Sequence, residues 1–187
     1  DLKKSSSGMG HDVLSAEVPG GAYDHLGYRI APPPADAILG NASAADLTTL
    51  RQGGYALYVE GTAQKGATMK TIRWGFTGKT RYGECHSEAV IDGAPAKSQI
   101  TIHADHLLYD DLFSSEPNVS FDLEASADRN GDGEVTAAEL MATDISTQAR
   151  YQVGSTGIRD LWSFITYQTA TVGHIDGEGH CASAVRE

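Results

Sequence analysis

Residues 68–77 read TMKTIRWGFT, and this stretch decides the fold class. The apolar residues Ile72, Trp74 and Phe76 occupy every second position, and the residues between them are polar or small. An alternation of period two predicts a β-strand that buries one face. This is the clearest strand signal in the chain, and we expect its three apolar side chains to lie in the core.

Further short strands are predicted on both sides of this stretch. The segments 22–30, 55–60 and 98–104 alternate apolar and polar residues over part of their length. The segment 12–18 is also predicted to be a strand, because Pro19-Gly20-Gly21 separates it from the next segment as a turn would. Short, turn-separated strands favour a mainly β domain resembling a β-sandwich.

Helices are predicted chiefly in the second half of the chain. The segments 117–127 and 136–145 flank an acidic loop, and the segment 156–172 carries apolar residues near helical spacing. In the first half, Ser43-Ala-Ala-Asp46 resembles a capping box that begins a short helix ending at Gly53-Gly54. We therefore expect a β-sandwich-like domain with an inserted EF-hand-like helix-loop-helix and a C-terminal helix.

Length and composition limit the number of domains and the kinds of partner. The 187 residues suffice for one domain, predicted at 11–187 after a flexible polar lead-in at 1–10. No apolar run is long enough to span a membrane. The net charge of −11 disfavours nucleic acid as a partner and favours cations. The chain opens at Asp1 rather than at Met, so we expect a processed or trimmed chain that has lost any signal peptide or lipid anchor.

The acidic loop at 128–139 reads DRNGDGEVTAAE and has the spacing of an EF-hand calcium loop. Calcium binds six to eight oxygens, which such a loop supplies at its first, third, fifth, seventh, ninth and twelfth positions. The glycine at the sixth position permits the sharp turn that brings these oxygens together. The predicted calcium ligands are Asp128, Asn130, Asp132, Glu134 through its backbone carbonyl, Thr136 and Glu139.

One calcium loop has different consequences from two. Sensor proteins pair their EF-hands and open a methionine-rich groove, but this chain has one such loop and three methionines. We therefore expect calcium to have a structural role, in a protein that acts as a binding, surface or matrix module. The expected partner is a protein or a cell-surface component, and self-association is a variant of this hypothesis.

The histidines and cysteines form a second candidate metal site. Cys85 precedes His86 and Cys181 follows His180, so a disulfide between the two cysteines would bring these histidines close together. Imidazoles gathered in this way are ligands for copper or zinc. The alternative hypothesis is therefore a periplasmic copper- or zinc-binding protein, with a ligand set drawn from His86, His103, His106, His174 and His180. The other alternative is that the disulfide only fastens the C-terminus to the sheet and that the histidines are ordinary surface or hydrogen-bonding residues.

Enzyme signatures are missing from the sequence. There is no nucleophile elbow, zinc-protease motif, phosphate-binding loop or dinucleotide fingerprint. A triad of His103, Asp105 and one of the serines is the third hypothesis, a hydrolase without a recognised motif. We expect no enzymatic activity and assign no catalytic residue.

Several segments resemble uncharacterised bacterial proteins of the secreted or lipoprotein type, which carry a similar calcium loop between a histidine stretch and the last helix. The resemblance spans most of residues 12–181. It implies an extracytoplasmic location (periplasmic, secreted or anchored at the cell surface) and implies no activity. The segments that carry it are Tyr55–Gly61, Ile72–Phe76, Arg81–Cys85, Thr101–Asp111 and Gly173–Cys181.

Overall fold

A computed structural model describes residues 11–91 and 95–186, and it is mainly β with a few helices. The predicted lead-in at 1–10 lies outside the described residues. The strands are β1 (Gly21–Ile30), β2 (Leu57–Lys65), β3 (Thr68–Phe76), β4 (Thr80–Ile91), β5 (Ile100–Ile102), β6 (Glu134–Val135), β7 (Gly173–Ile175) and β8 (Cys181–Arg186). The helices are α1 (Ala44–Gly53), α2 (Asp122–Ser126), α3 (Ala137–Met141), α4 (Leu161–Gln168) and a 3₁₀ helix at Ala104–Leu108.

The strands form three small open sheets in the described part of the chain. Their strand orders are β1-β4-β8, β2-β3-β6 and β5-β7. All neighbouring pairs are antiparallel except β3 and β6, which run parallel. The mainly β class predicted from the sequence is confirmed, while the sandwich arrangement of the sheets stays a prediction.

The stretch that decides the fold class forms β3, as predicted. Trp74 and Phe76 are buried, and the ring of Trp162 from α4 stacks on Phe76 at a centroid distance of 4.9 Å. Trp74 also donates a hydrogen bond from Nε1 to the carbonyl of Val135, at 2.9 Å. This strand therefore joins the hairpin to both the acidic loop and the C-terminal helix.

A second, smaller core lies under the β1-β4-β8 sheet. Tyr82, Cys85 and Ile175 are buried there, and the ring of Tyr28 stacks on Tyr82 at 4.6 Å. Cys85 is bonded to Cys181, so the predicted disulfide is present and fastens β8 to β4.

The capped helix in the first half is also confirmed. The Ser43 hydroxyl accepts from the Asp46 backbone, and the Asp46 carboxylate accepts from the Ser43 backbone in return. Gly54 ends α1 in the left-handed conformation, with φ of +63°, which glycine adopts without steric penalty.

The predicted strand at 12–18 is wrong, because residues 11–19 form no regular structure. Val13 and Leu14 are 85% and 84% exposed, so no neighbouring strand or helix covers their apolar side chains. A turn signal after a segment is insufficient when no partner strand supplies the ladder hydrogen bonds.

The helices predicted in the second half exist but are shorter. α2 begins at Asp122 because Val119 is occupied by a β-bridge to Tyr109. α4 begins at Leu161, where the side chain of Asp160 caps it by accepting from the Ser163 backbone. It ends before Gly173, which starts β7 instead of closing the helix.

A buried carboxyl group lies beside the acidic loop. Glu124 on α2 is buried, and its Oε1 accepts a hydrogen bond from the Tyr151 hydroxyl at 2.8 Å. Its Oε2 is buried without a hydrogen-bond partner. Burial raises the pKa of the Glu124 carboxyl to about 7, although the Tyr151 hydrogen bond acts in the opposite direction.

Replacing both Cys85 and Cys181 by serine is expected to lower the free energy of unfolding by about 2–5 kcal/mol. The physical reason is that the bond closes a loop across a sequence separation of 96 residues and so restricts the unfolded chain. Urea denaturation of the double variant and of the wild type measures the difference. Equal midpoints and slopes for the two proteins would contradict this expectation.

The raised pKa of Glu124 predicts a specific pH dependence of stability. Between pH 4.5 and about 7 the unfolded carboxyl ionises while the folded one keeps its proton, so stability falls as pH rises. The full loss is about 3 kcal/mol and is complete above the folded pKa. Glu124→Gln should remove this component in denaturation curves at pH 4 to 8, and exposed Glu116→Gln should not. Parallel curves for wild type and Glu124→Gln would contradict the assignment.

Candidate metal centres

Four histidines come together where β5 and β7 pair. His103 follows β5, His106 lies in the 3₁₀ helix, His174 is in β7 and His180 precedes β8. The ring centroid of His174 lies 4.3 Å from that of His103, 4.9 Å from His106 and 4.6 Å from His180. His174 is therefore the centre of what we call the histidine cluster.

Strand pairing brings the members of this cluster together across the sequence. Thr101 in β5 is the register partner of His174 in β7, and the His103 backbone N–H donates to the Val172 carbonyl at 2.8 Å. The chain then enters the 3₁₀ helix, whose three residues per turn place His103 and His106 on the same side.

A tight loop after β7 folds back and positions Glu178. Ile175 and Gly179 exchange both of their backbone hydrogen bonds, which closes the loop. Asp176 adopts a left-handed backbone, with φ of +48°, and its carboxylate accepts from the Gln99 backbone at 2.7 Å. This local hydrogen bond holds a conformation that non-glycine residues rarely adopt.

Neighbouring groups determine which ring nitrogen of His103 is free. Its Nε2 lies 3.2 Å from the carbonyl oxygen of Gly177, which can only accept, so Nε2 carries the proton and donates. Nδ1 is then the nitrogen that carries the lone pair in the neutral tautomer, and it lies 3.7 Å from Oε1 of Glu178.

A neighbouring hydroxyl likewise determines which ring nitrogen of His106 donates. The Thr171 hydroxyl donates its single proton to the Gln168 carbonyl at 2.9 Å. His106 Nδ1, 3.2 Å from that hydroxyl, must therefore be the donor of the bond between them. Nε2 of His106 keeps its lone pair. Burial lowers the pKa of the His106 ring, which favours the neutral form.

His174 is the most buried member of the cluster, at 1% exposure. Its Nδ1 is buried and has no hydrogen-bond partner in the protein. Burial lowers the pKa of the His174 ring, and the neighbouring His103 and His180 lower it further. A neutral imidazole with an unused nitrogen is the state in which histidine binds metals.

Two sets of three residues in the cluster lie close enough to hold a metal ion. One set is His103, His174 and Glu178, and the other is His103, Asp105 and His106. In each set the ligand atoms lie within 4.8 Å of one another. Tyr109 donates to Asp105 at 3.1 Å, so the first set has the less occupied carboxylate.

The cluster faces a cleft of about 400 Å³. His106, His174, Glu178 and His180 are among the residues that line it, together with Tyr109 and Leu112. A cation held by the cluster would therefore be reachable from solvent.

The acidic loop at 128–139 is the second candidate centre. Gly131 and Gly133 have positive φ angles of +74° and +86°, and the backbone N–H groups of both donate to the Asp128 carboxylate. Glu134 and Val135 form β6, which pairs with Thr71 and Ile72 of β3. The loop is thus a compact turn fastened to the sheet.

A lysine side chain enters this loop from the sheet. Lys70 Nζ lies 2.6 Å from Oδ2 of Asp128, whose side chain is fully buried. The hydrogen bond from Lys70, with those from Gly133 and Gly131, lowers the pKa of Asp128. The first carboxylate of the loop is therefore ionised and paired with a cation.

The last carboxylate of the loop is used as a helix cap. Glu139 Oε2 accepts from both the backbone and the hydroxyl of Thr136, and the Thr136 hydroxyl in turn caps α3. These hydrogen bonds lower the pKa of Glu139. Within the described residues, no three acids of this loop meet the spacing that the two histidine sets satisfy. Like-charged carboxylates repel, and each binds nearby donors instead.

The structure places the predicted site residues in two separate groups. The six loop residues lie in one turn, and His103, His106, His174 and His180 form the cluster. His86 lies elsewhere: it is the register partner of His25, their rings are 5.9 Å apart, and His86 Nδ1 donates to the Asp24 carbonyl. Successive strand residues point to opposite faces, so Cys85 faces the core while His86 faces solvent.

Two residues of these centres were missed in the sequence. Glu178 lies between His174 and His180, and its carboxylate was a usable signal, because mixed histidine and carboxylate ligand sets are common for zinc. Lys70 comes from a strand 58 positions before Asp128, and no local pattern links the two.

Comparisons of this chain with protein families, with curated proteins and with solved structures found no match. The resemblance to bacterial secreted proteins therefore stays a prediction.

Proposed function

We propose that this chain is an extracytoplasmic calcium-binding protein in which one calcium ion stabilises the loop at 128–139. The observation that carries the proposal is the order of backbone features along the loop. A left-handed glycine stands at the sixth position, a short strand occupies the seventh and eighth, and a helix cap joins the ninth to the twelfth. An EF-hand loop has its sixth-position turn and its oxygen ligands in the same order.

The loop supplies the donor chemistry that calcium prefers. Asp128, Asn130, Asp132 and Glu139 offer side-chain oxygens, and Thr136 offers a hydroxyl. The Glu134 carboxylate is engaged by Arg73 at 2.7 Å, so its backbone carbonyl would be the ligand, as at the seventh position of an EF-hand loop. On binding, Glu139 turns from its cap toward the ion and Lys70 leaves Asp128.

A structural role follows from what the loop contacts. Paired EF-hands bind each other through their loops, whereas here β6 pairs with β3 of the hairpin. Calcium would hold α2 and α3 against that sheet, and the protein would act as a binding or surface module for a protein or cell-surface partner. Self-association of such modules is part of the same hypothesis.

The extracytoplasmic location is supported by the disulfide between Cys85 and Cys181. Such bonds persist in oxidising compartments and are rare in the cytosol. Among the described residues, none of the helices has the length and apolar character needed to cross a membrane.

Calcium is expected to raise the melting temperature of protein stripped with EDTA. At a calcium concentration one hundred times the dissociation constant the gain is about 2.7 kcal/mol. For a chain of this size that corresponds to roughly 5–10 °C. Asp128→Asn and Glu139→Gln should each remove most of the gain, measured by calorimetry with and without calcium.

Asp122→Asn is the matched control, because Asp122 is an exposed acid on α2 that pairs with Lys65 outside the loop. It should keep the full calcium effect. A calcium effect that is absent from the wild type, or equal in all four proteins, would overturn the proposal.

Lys70 is expected to compete with calcium for Asp128. Lys70→Met keeps the length of the side chain and removes its charge, so it should tighten calcium binding in calorimetric titrations. It should also lower stability without calcium, because the buried Asp128 carboxylate loses its partner. Unchanged calcium affinity would show that the ion does not displace Lys70.

A further inference from the structure

We infer that His103, His174 and Glu178 form a second metal site, which binds one divalent zinc or copper ion. This site goes beyond the calcium proposal and does not depend on it. It lies at the pairing of β5 with β7, whereas the calcium loop lies beside β3.

The spacing of the ligand atoms fits a single ion. Nδ1 of His103 and Oε1 of Glu178 are 3.7 Å apart, which is too far for a hydrogen bond. Two ligands at about 2.0 Å from a tetrahedral zinc ion are separated by about 3.3 Å. The ligand atoms of all three residues lie within 4.8 Å, so small side-chain rotations bring them to one ion.

The ring nitrogen of His103 that lies nearer Glu178 is the one without a hydrogen-bonded proton. Its Nε2–H donates to the Gly177 carbonyl, which fixes the ring and leaves Nδ1 free. Metal-bound histidines almost always donate their other N–H to a carbonyl or carboxylate in this way. Gly177 therefore acts as the outer support of the site.

A second, independent observation is the unpartnered nitrogen of His174. Buried polar groups nearly always have a partner, and an orphaned one costs free energy. His174 is 1% exposed, and its Nδ1 has no donor or acceptor within reach. A buried Nδ1 without a hydrogen-bond partner, on a ring surrounded by three other imidazoles, is accounted for by a cation that binds there.

The donor set selects the class of metal. Imidazole nitrogens suit zinc and copper, whereas calcium and magnesium prefer oxygen alone. The sulfurs of Cys85 and Cys181 are joined in the disulfide, so they supply no thiolate for cuprous ions.

The two remaining rings of the cluster complete the surroundings of the ion. His180 packs on His174, and His106 keeps the lone pair of Nε2. Glu178 is 83% exposed and lies at the cleft, so the metal can enter without unfolding of the core.

The test is metal titration of full-length protein after EDTA treatment and dialysis, with the disulfide intact. Zinc affinity is measured by competition with a chromophoric chelator, and copper(II) is examined separately by electron paramagnetic resonance. We expect one ion per chain and nitrogen hyperfine splitting on copper. His103→Gln and Glu178→Gln should each weaken binding at least about tenfold, since even supporting groups contribute 10–100-fold.

His86→Gln is the matched control, because His86 is an exposed histidine outside the cluster. It should leave both affinities unchanged, and excess calcium should not displace zinc. Glu178→Gln changes an exposed side chain, so it keeps the test valid if His103→Gln fails to fold. Absence of stoichiometric zinc and copper binding would overturn the inference, as would equal weakening by all three variants. Zinc binding retained in Glu139→Gln separates this result from failure of the calcium proposal.

Discussion

The parallel pairing of β6 with β3 is the constraint on which the rest of the structure depends. Thr71 donates its backbone N–H to the Gly133 carbonyl, and the Trp74 indole donates to the Val135 carbonyl. These bonds dock a polar, acidic loop on a hairpin whose other face is apolar. Trp74 then carries the contact onward to Trp162, at 6.4 Å, so that α4 packs on the same strand. β3 is therefore in contact with both the acidic loop and α4.

The second organising interaction lies at the other end of the described chain. Cys181 is bonded to Cys85, and the loop before it returns Glu178 and His180 toward β7. The short segment between β7 and β8 is thus held at three points. These are the disulfide, the pairing of β5 with β7 and the left-handed backbone of Asp176. Such a segment can hold side chains in a fixed arrangement although only a small sheet supports it. This is the physical basis for a preorganised histidine cluster.

The two candidate centres treat charge in opposite ways. In the acidic loop, each of the carboxylates Asp128 and Glu139 has its own hydrogen-bond donors. These donors are backbone N–H groups, Thr136 and Lys70. A cation is already present beside Asp128, in the form of an ammonium group. The histidine cluster instead packs imidazole rings together and leaves a buried nitrogen of His174 without a hydrogen-bond partner. An oxygen-binding ion suits the first arrangement, and a nitrogen-binding ion suits the second.

The sequence by itself determined what depends on short-range pattern. The alternation at 68–77 specifies β3, the Ser43 and Asp46 spacing specifies a capped helix, and the order of residues at 128–139 specifies the turn of the acidic loop. It also predicted a strand at 12–18 that does not form, because a turn signal cannot show whether a partner strand exists. Only the tertiary structure decided which histidines lie close together. The pairing of β5 with β7 brings His103 next to His174, 71 positions apart in sequence. The pairing of β1 with β4 places His86 next to His25 instead. Strand register is set by packing of whole faces, so contacts between distant residues follow from the fold and not from any local spacing.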